Sequence, residues 1–186
     1  KTVVMIQCVG SRDEKGPYCS RLCCSEAVKN ALKIKELSPD TNVYVLYRDV
    51  RTYGFRESNY TKARRSGVAF VRYDETAKPE IRSNGGGLRV KVRDRILDMM
   101  LDIPADLVVL STGTVPHEDS KTIAQLLKVP LNQDGFFLEA HLKLRPVDFA
   151  TDGVFICGLA HSPKLTEESI IQAGGASARA GAILSK

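Results

Sequence analysis

The first seventy residues alternate between two hydrophobic periods, and that alternation leaves the chain few folds to choose from. "TVVMIQCVG" is a short apolar run rich in Val and closing on Gly10, which predicts a buried strand. After the loop "SRDEKGP", Leu22, Ala27, Val28, Ala31, Leu32 and Leu37 keep helical spacing from about Tyr18 until "SPD" stops it. "NVYVLYRDV" predicts a second strand, "RESNYTKARRSG" a helix closed by Gly67, and "VAFVRYDE" a third strand. A β-α-β-α-β order favours a parallel sheet with right-handed crossovers, so the fold class is α/β.

The pattern then changes. A glycine-rich turn leads into the alternating "LRVKVRD" and a broken second arm, "ILDMMLDI", which together predict an antiparallel β-meander. "ADLVVLSTG" is another buried strand ending in a turn of small residues. Beyond Pro116, "SKTIAQLLKV" has helical spacing, "FFLEAHLKL" reads as extended, and "GVFICG" as a last short strand. "EESIIQAGGASARAGAILS" closes the chain as a helix whose small residues permit close packing. Cys157, inside the last strand, reads as a plain buried thiol.

Charge and composition narrow the partners. No apolar run approaches the roughly 20 residues needed to span a bilayer, so direct membrane insertion is not expected. Trp is absent and aromatics are 6%, which offers no base-stacking platform for nucleic acid. The net charge of +5 gathers in residues 1–65, where 13 Lys and Arg face 7 Asp and Glu. That balance suits neutralisation of a bound anionic group, with Lys29, Lys33 and Lys35 as a solvated helix face. Lys1 leads straight into a strand without an initiator Met, which gives the chain the look of an excised piece.

Four of the five cysteines, Cys8, Cys19, Cys23 and Cys24, fall within seventeen positions. An odd, clustered set is not a secreted disulfide framework, and it favours a reducing cytoplasm and metal chemistry. On a helix beginning near Tyr18, Cys19 and Cys23 would share a face, with Cys24 about 100° further round. Cys8 would face them from the carboxyl end of the first strand, at a helix start that favours negative charge. Three readings remain open: structural thiols, a four-cysteine zinc site in a non-catalytic scaffold, and a [4Fe–4S] cluster. The adjacent pair favours the cluster, whose separate iron corners suit neighbouring ligands better than one tetrahedral ion does. In a dinucleotide fold this strand–loop–helix carries the glycine fingerprint, yet only Gly10 and Gly16 are present here. Asp49 is flanked by Arg48 and Arg51 and reads as an ion pair rather than a ribose ligand, so NAD(P)H binding is expected to be negligible.

"DLVVLSTGTVP" and "TDGVFICGLA" resemble the two late strands of flavoproteins of the thioredoxin reductase and glutathione reductase type. With "VVMIQCVGSRD", "YCSRLCC", "YRDVRTYGFRE" and "GVFICGLAHSPKLTEESIIQAGGASARA" added, nearly the whole chain resembles the A subunit of heterodisulfide reductase. The relatives of that family include the flavoprotein subunits of the quinone-interacting membrane-bound oxidoreductase complex. The resemblance implies a Rossmann-like, thioredoxin-reductase-like FAD/NAD(P)-binding domain with the meander, followed by the C-terminal part of a FAD domain. The expected division is residues 1–115, carrying the cysteines, and 116–186.

The same resemblance implies an oxidoreductase component relaying electrons between FAD and [4Fe–4S] clusters, with other subunits of a redox complex, or a second copy of the chain, as partners. It makes Cys8, Cys19, Cys23 and Cys24 the cluster ligands. It puts Thr112, Gly113 and Thr114 in the turn near FAD, and Gly158 and Leu159 at the strand end on the ribityl–phosphate chain. Lys164, Gln172 and Ala173 match the loop and helix start near the flavin ring. Thioredoxin-type reductases usually carry Gly-Asp where this chain has Gly158-Leu159, so one side-chain contact is lost. The FAD-binding glycine turn is absent, so FAD belongs to the full-length parent and is not expected to stay on these 186 residues.

Overall fold

A computed structural model describes residues 1–83 and 85–185; Asn84, the first residue of the glycine-rich turn, and Lys186 lie outside them. The chain forms two compact units. Residues 1–10 and 23–113 make the first; residues 11–22 and 114–186 make the second.

The first unit is a four-stranded parallel sheet in the order β3-β2-β1-β7 and an antiparallel sheet in the order β4-β5-β6. Its parallel strands are β1 (Thr2–Val9), β2 (Asn42–Tyr47), β3 (Ala69–Arg72) and β7 (Leu107–Thr112). The meander is β4 (Glu80–Ser83), β5 (Leu88–Asp94) and β6 (Met99–Ala105). Residues of β1 divide between two cores with the strand period of two. Val3 and Met5 pack with Ala27, Val28 and Ala31 of helix α1 (Cys23–Leu37), together with Val43, Val45 and Ala63. Val4 and Ile6 point the other way, into Leu46, Val71, Val90, Val92 and Ile103, so the meander covers that face. Each fully buried aliphatic side chain there contributes about 1.5–3 kcal/mol.

Helix α1 follows from Cys24, Ala27, Val28 and Ala31, an i, i+3, i+4, i+7 stripe that is buried along its length. It begins five residues later than the spacing from Tyr18 predicts. Pro17 and a left-handed Arg21 (φ 60°) interrupt the backbone first, so Cys19 lies outside the helix. The second crossover ends in α2 (Glu57–Arg65), and Gly67 at φ 79° turns the chain into β3.

The second unit holds α3 (Ser120–Leu127), α4 (Thr166–Leu184) and irregular chain between them. Its small core joins Ala124, Val129, Phe149 and Ile156 with Leu131, Phe137 and Val154. Two expected strands are not regular ones. "FFLEAHLKL" and "GVFICG" make only isolated bridges, Leu131 with Phe137, His141 with Arg145 and Asp148 with Phe155. Side chains capture the backbone there. Asn132 Oδ1 accepts from the N–H groups of Asp134 (2.9 Å) and Phe136 (3.0 Å), and His141 Nδ1 accepts from Lys143 and Leu144 (both 3.2 Å). Cys157 is exposed rather than buried: Ile156 takes the inward position, and alternation turns its neighbour outward.

Candidate functional site

In a parallel α/β unit, strand ends and the starts of the following helices lie at one edge of the sheet. That topology brings Cys8, near the end of β1, and Cys23 and Cys24, the first two residues of α1, to the carboxyl edge of the first unit. Cys8 adopts a left-handed backbone (φ 60°), and the β1–β7 register shifts between Ile6 and Val9. This bulge re-aims the side chain and leaves the thiol half-buried. Pairing resumes beyond it, with the Gly113 N–H donating to the Val9 carbonyl (2.8 Å). Cys24 is buried, and its thiol donates to the carbonyl of Asp49 just past β2 (3.6 Å).

Cys19 belongs to the second unit, in a segment closed by hydrogen bonds from Arg12 N–H to the carbonyls of Gly16 (2.6 Å) and Tyr18 (3.1 Å). The Cys19 sulfur accepts from the Arg21 N–H (3.3 Å). Because Cys19 precedes the helix, it does not share a helical face with Cys23. None of the five cysteines forms a disulfide. Among the described residues, no group of three or more His, Cys, Asp or Glu side chains is gathered tightly enough for a metal ion. The donor chemistry of the first unit suits a thiolate-bound cluster: a helix start, three sulfurs at one edge, and buried amide atoms of Gln7 beside Cys8 that have no partner among the described residues.

The flavin candidates fall at two places. Thr112 and Gly113 end β7, and Thr114 opens the second unit. There the Thr114 N–H donates to Ser20 Oγ (2.8 Å), and its carbonyl accepts from the Tyr18 hydroxyl (2.8 Å). Gly158, Leu159, Lys164, Gln172 and Ala173 all lie in the second unit. Gly158 starts a 3-10 turn at φ 67°, a backbone that suits glycine. Its N–H donates to Gln172 Oε1 (2.9 Å). Gln172 Nε2 then donates to His161 Nδ1 (2.8 Å), which leaves the ring proton on Nε2 to reach Glu139 Oε2 (2.7 Å). Leu159 is exposed and Ala173 half-buried. Gln172 and Ala173 stand in the second turn of α4, not at its start, because the Glu168 carboxylate accepts from Leu165 N–H (2.8 Å) and fixes the helix beginning at Thr166.

A cavity of about 710 Å³ in this unit is lined by Arg21, Asp148, Lys164, Glu168, Gln172 and Arg179, with Leu144, Val147 and Ile171 on its apolar side. Arg21 bridges Glu168 (2.7 Å) and the Pro163 carbonyl (3.2 Å), and Arg179 clamps the buried Asp148 at 2.9 and 3.0 Å. Burial, then the nearby Arg21 charge, pulls the Lys164 ammonium below its ordinary value. Burial alone would raise the Glu168 carboxyl, but the Leu165 N–H and Arg21 outweigh it and hold it low. Glu139 behaves alike: burial pushes up, while its own backbone N–H and His161 pull it lower overall. Arg21 and Arg179 are offset by Glu168 and Asp148, so Lys164 supplies the excess positive charge of this lining. Sequence reasoning missed Arg21, Glu139, His161 and Glu168, although His161, between the Gly158 turn and Lys164, was a signal within reach.

The fold defines the class. Thioredoxin reductase from T. acidophilum superposes over 100% of this chain and 53% of its own length with a TM-score of 0.60 at 16% identity. The Lactococcus lactis thioredoxin reductase follows at 0.59, over 96% and 50%, at 14% identity. The chain thus has the α/β fold of the thioredoxin-reductase-like FAD/NAD(P)-binding proteins. No protein-family profile matches it. It is 45% identical over 190 residues to the A subunit of the ferredoxin:CoB-CoM heterodisulfide reductase of Methanosarcina acetivorans, covering 99% of this chain and 23% of that protein. It is 44% identical to the iron-sulfur A subunit of the CoB–CoM heterodisulfide reductase of Methanocaldococcus jannaschii, covering 94% of this chain and 27% of that protein. Over the segment it spans, the chain belongs to the family of heterodisulfide reductase A subunits. It spans about a quarter of the length of these curated relatives.

Proposed function

We propose that this chain is the electron-relay part of a heterodisulfide-reductase-type oxidoreductase, working with other subunits between FAD and a [4Fe–4S] cluster. What carries the proposal is the topology, by which Cys8 near the end of β1 and Cys23 and Cys24 at the start of α1 fall at the carboxyl edge of the parallel sheet. The M. jannaschii relative is named an iron-sulfur protein, which supports it. Cys19 completes the thiolate set from the loop four residues before α1. When bound, the cluster supplies single-electron transfer and the flavin exchanges one or two electrons.

The chain's own residues prepare for both groups. The start of α1, where Cys23 and Cys24 stand, is the positive end of a helix dipole, which suits a negatively charged thiolate cluster. In the second unit the Gly158 N–H fixes the Gln172 amide, which sets the His161 tautomer and keeps a proton at Nε2 against Glu139. Lys164 brings positive charge to the cavity that Gln172 also lines, suited to a reduced, anionic flavin. Gly158, Leu159 and Ala173 would lie along the flavin's path, with Thr112, Gly113 and Thr114 near its nucleotide. No glycine turn for the FAD pyrophosphate is present in the sequence, so these 186 residues alone should lose FAD on desalting.

Anaerobic reconstitution of the chain with iron and sulfide tests the proposal. It should yield a brown protein with bound iron and acid-labile sulfide in equal amounts. Protein that takes up zinc stoichiometrically and holds no sulfide would replace the relay with a zinc scaffold.

A further inference from the structure

Gln7 is the most deeply buried large polar residue of the first unit, 1% exposed, and it immediately precedes Cys8 on β1. Its backbone carbonyl accepts from the Tyr73 hydroxyl at 2.6 Å. In its side chain, neither Oε1 nor Nε2 has a hydrogen-bond partner among the described residues. Reversing the amide changes nothing, since both atoms are affected. A buried amide without partners is costly, so a position that keeps one calls for a group to meet it.

Strand alternation gives the direction. Val3 and Met5 pack against the buried stripe of α1, and Gln7 is in phase with them. Helix α1 runs opposite to β1, so Gln7, at the carboxyl end of the strand, is level with the first helical turn. Cys24 is the buried residue of that turn. The third polar atom of this kind belongs to Thr52, five residues past β2 and also 1% exposed, whose Oγ1 has no partner among the described residues. Thr52 follows by three residues the Asp49 carbonyl that the Cys24 thiol contacts. Two unsatisfied side-chain donors and a buried cysteine therefore share one sheet edge.

We propose that Gln7 Nε2 and Thr52 Oγ1 donate hydrogen bonds to the sulfur atoms of the cluster held by Cys8 and Cys24, and so set its reduction potential. The inference rests on the cluster reading above. Donors to sulfur stabilise the more negative, reduced form, and hydrogen bonding to the sulfurs is one of the levers by which proteins tune such clusters. Both residues are positioning residues, acting through the cluster rather than on any substrate.

The test is an EPR-monitored redox titration of the reconstituted chain, comparing wild type with Gln7→Leu and Thr52→Val, with iron counted in every sample. Each variant should keep its iron and shift the midpoint downward, Gln7→Leu by about tenfold in the reduction equilibrium, roughly 59 mV for one electron. Thermal melting of the metal-free chain supplies a second readout. Gln7→Leu should melt at or above wild type, because it removes an unsatisfied buried amide. An unchanged midpoint in both iron-loaded variants would overturn the proposal. So would a Gln7→Leu apo chain that melts well below wild type with no change of potential, which would make Gln7 a structural group. Thr52→Val decides the matter at a site that leaves β1 untouched. Wild-type chain that takes up no iron would instead overturn the cluster reading itself.

Discussion

The two units achieve order by different means. In the first, parallel and antiparallel ladders satisfy the backbone, and two aliphatic layers on either side of β1 supply the stability. In the second, a small core is supplemented by side chains that hold the backbone directly, Asn132, His141, Glu168 and Gln172, and by the Asp148–Arg179 ion pair. Ladders tolerate substitution of any one outward residue, whereas a network of single contacts concentrates its stability in few atoms. The flavin candidates lie mostly in the second unit, and three of the four cluster candidates lie in the first, Cys8 on β1 and Cys23 and Cys24 at the start of α1.

Core truncation probes the first unit most strongly. Leu46 is fully buried, and Leu46→Ala should cost about 2–5 kcal/mol by chemical denaturation. A loss under about 1 kcal/mol would mean that the layer between β2 and the meander is looser than its packing indicates. A polar change should rank next, in the second unit. Asp148 is 3% exposed and accepts from Arg179, which is itself half-exposed. Asp148→Asn should therefore cost about 1.5 kcal/mol, the low end for a hydrogen bond to a charged group. Equal stability in wild type and variant would show that the pair is ornamental.

How much of this was legible follows the same division. Most regular elements of the first unit were visible as a period of two or of 3.6, because ladders and stripes repeat; β4, exposed along its whole length, had no apolar alternation to show and was missed. Cys23 and Cys24 were legible at a helix start, but the start itself was misplaced. Leu22 continued the apolar spacing backward, while the left-handed Arg21 that breaks it left no signal in hydrophobicity. "FFLEAHLKL" alternates well enough to predict a strand, and only the local bonds to Asn132 and His141 divert it. Gln172 was legible by resemblance. Its partners His161 and Glu139 were not, since a hydrogen-bonded chain running from Glu139 to Gln172 through irregular sequence has no period.

A smaller effect depends on pH, and in the second unit it rests on half-buried carboxylates rather than on surface ones. Glu139 and Glu168 are both held below the ordinary carboxyl value of 4.5 in the folded chain. Groups depressed on folding contribute stability that is complete above the unfolded value and drains away as pH falls through the folded one. The melting temperature should thus drop on acidification from roughly pH 5 to pH 3. Glu139→Gln, which can still accept from His161 Nε2–H, should flatten that slope in part, with Glu168 and the surface carboxyls Glu36, Asp74 and Asp102 supplying the remainder. An identical slope in wild type and variant would remove the Glu139 charge as a source of stability.

The central claim is that the four clustered cysteines hold one [4Fe–4S] cluster. Cys19 tests it most directly, being the member that lies outside α1 and off the ladder of the first unit. The measurement is iron and acid-labile sulfide per chain in Cys19→Ala after anaerobic reconstitution, beside wild type. About four of each are expected in wild type, and a large loss of both in the variant. Cys19→Ala that loads iron and sulfide as fully as wild type would contradict the claim.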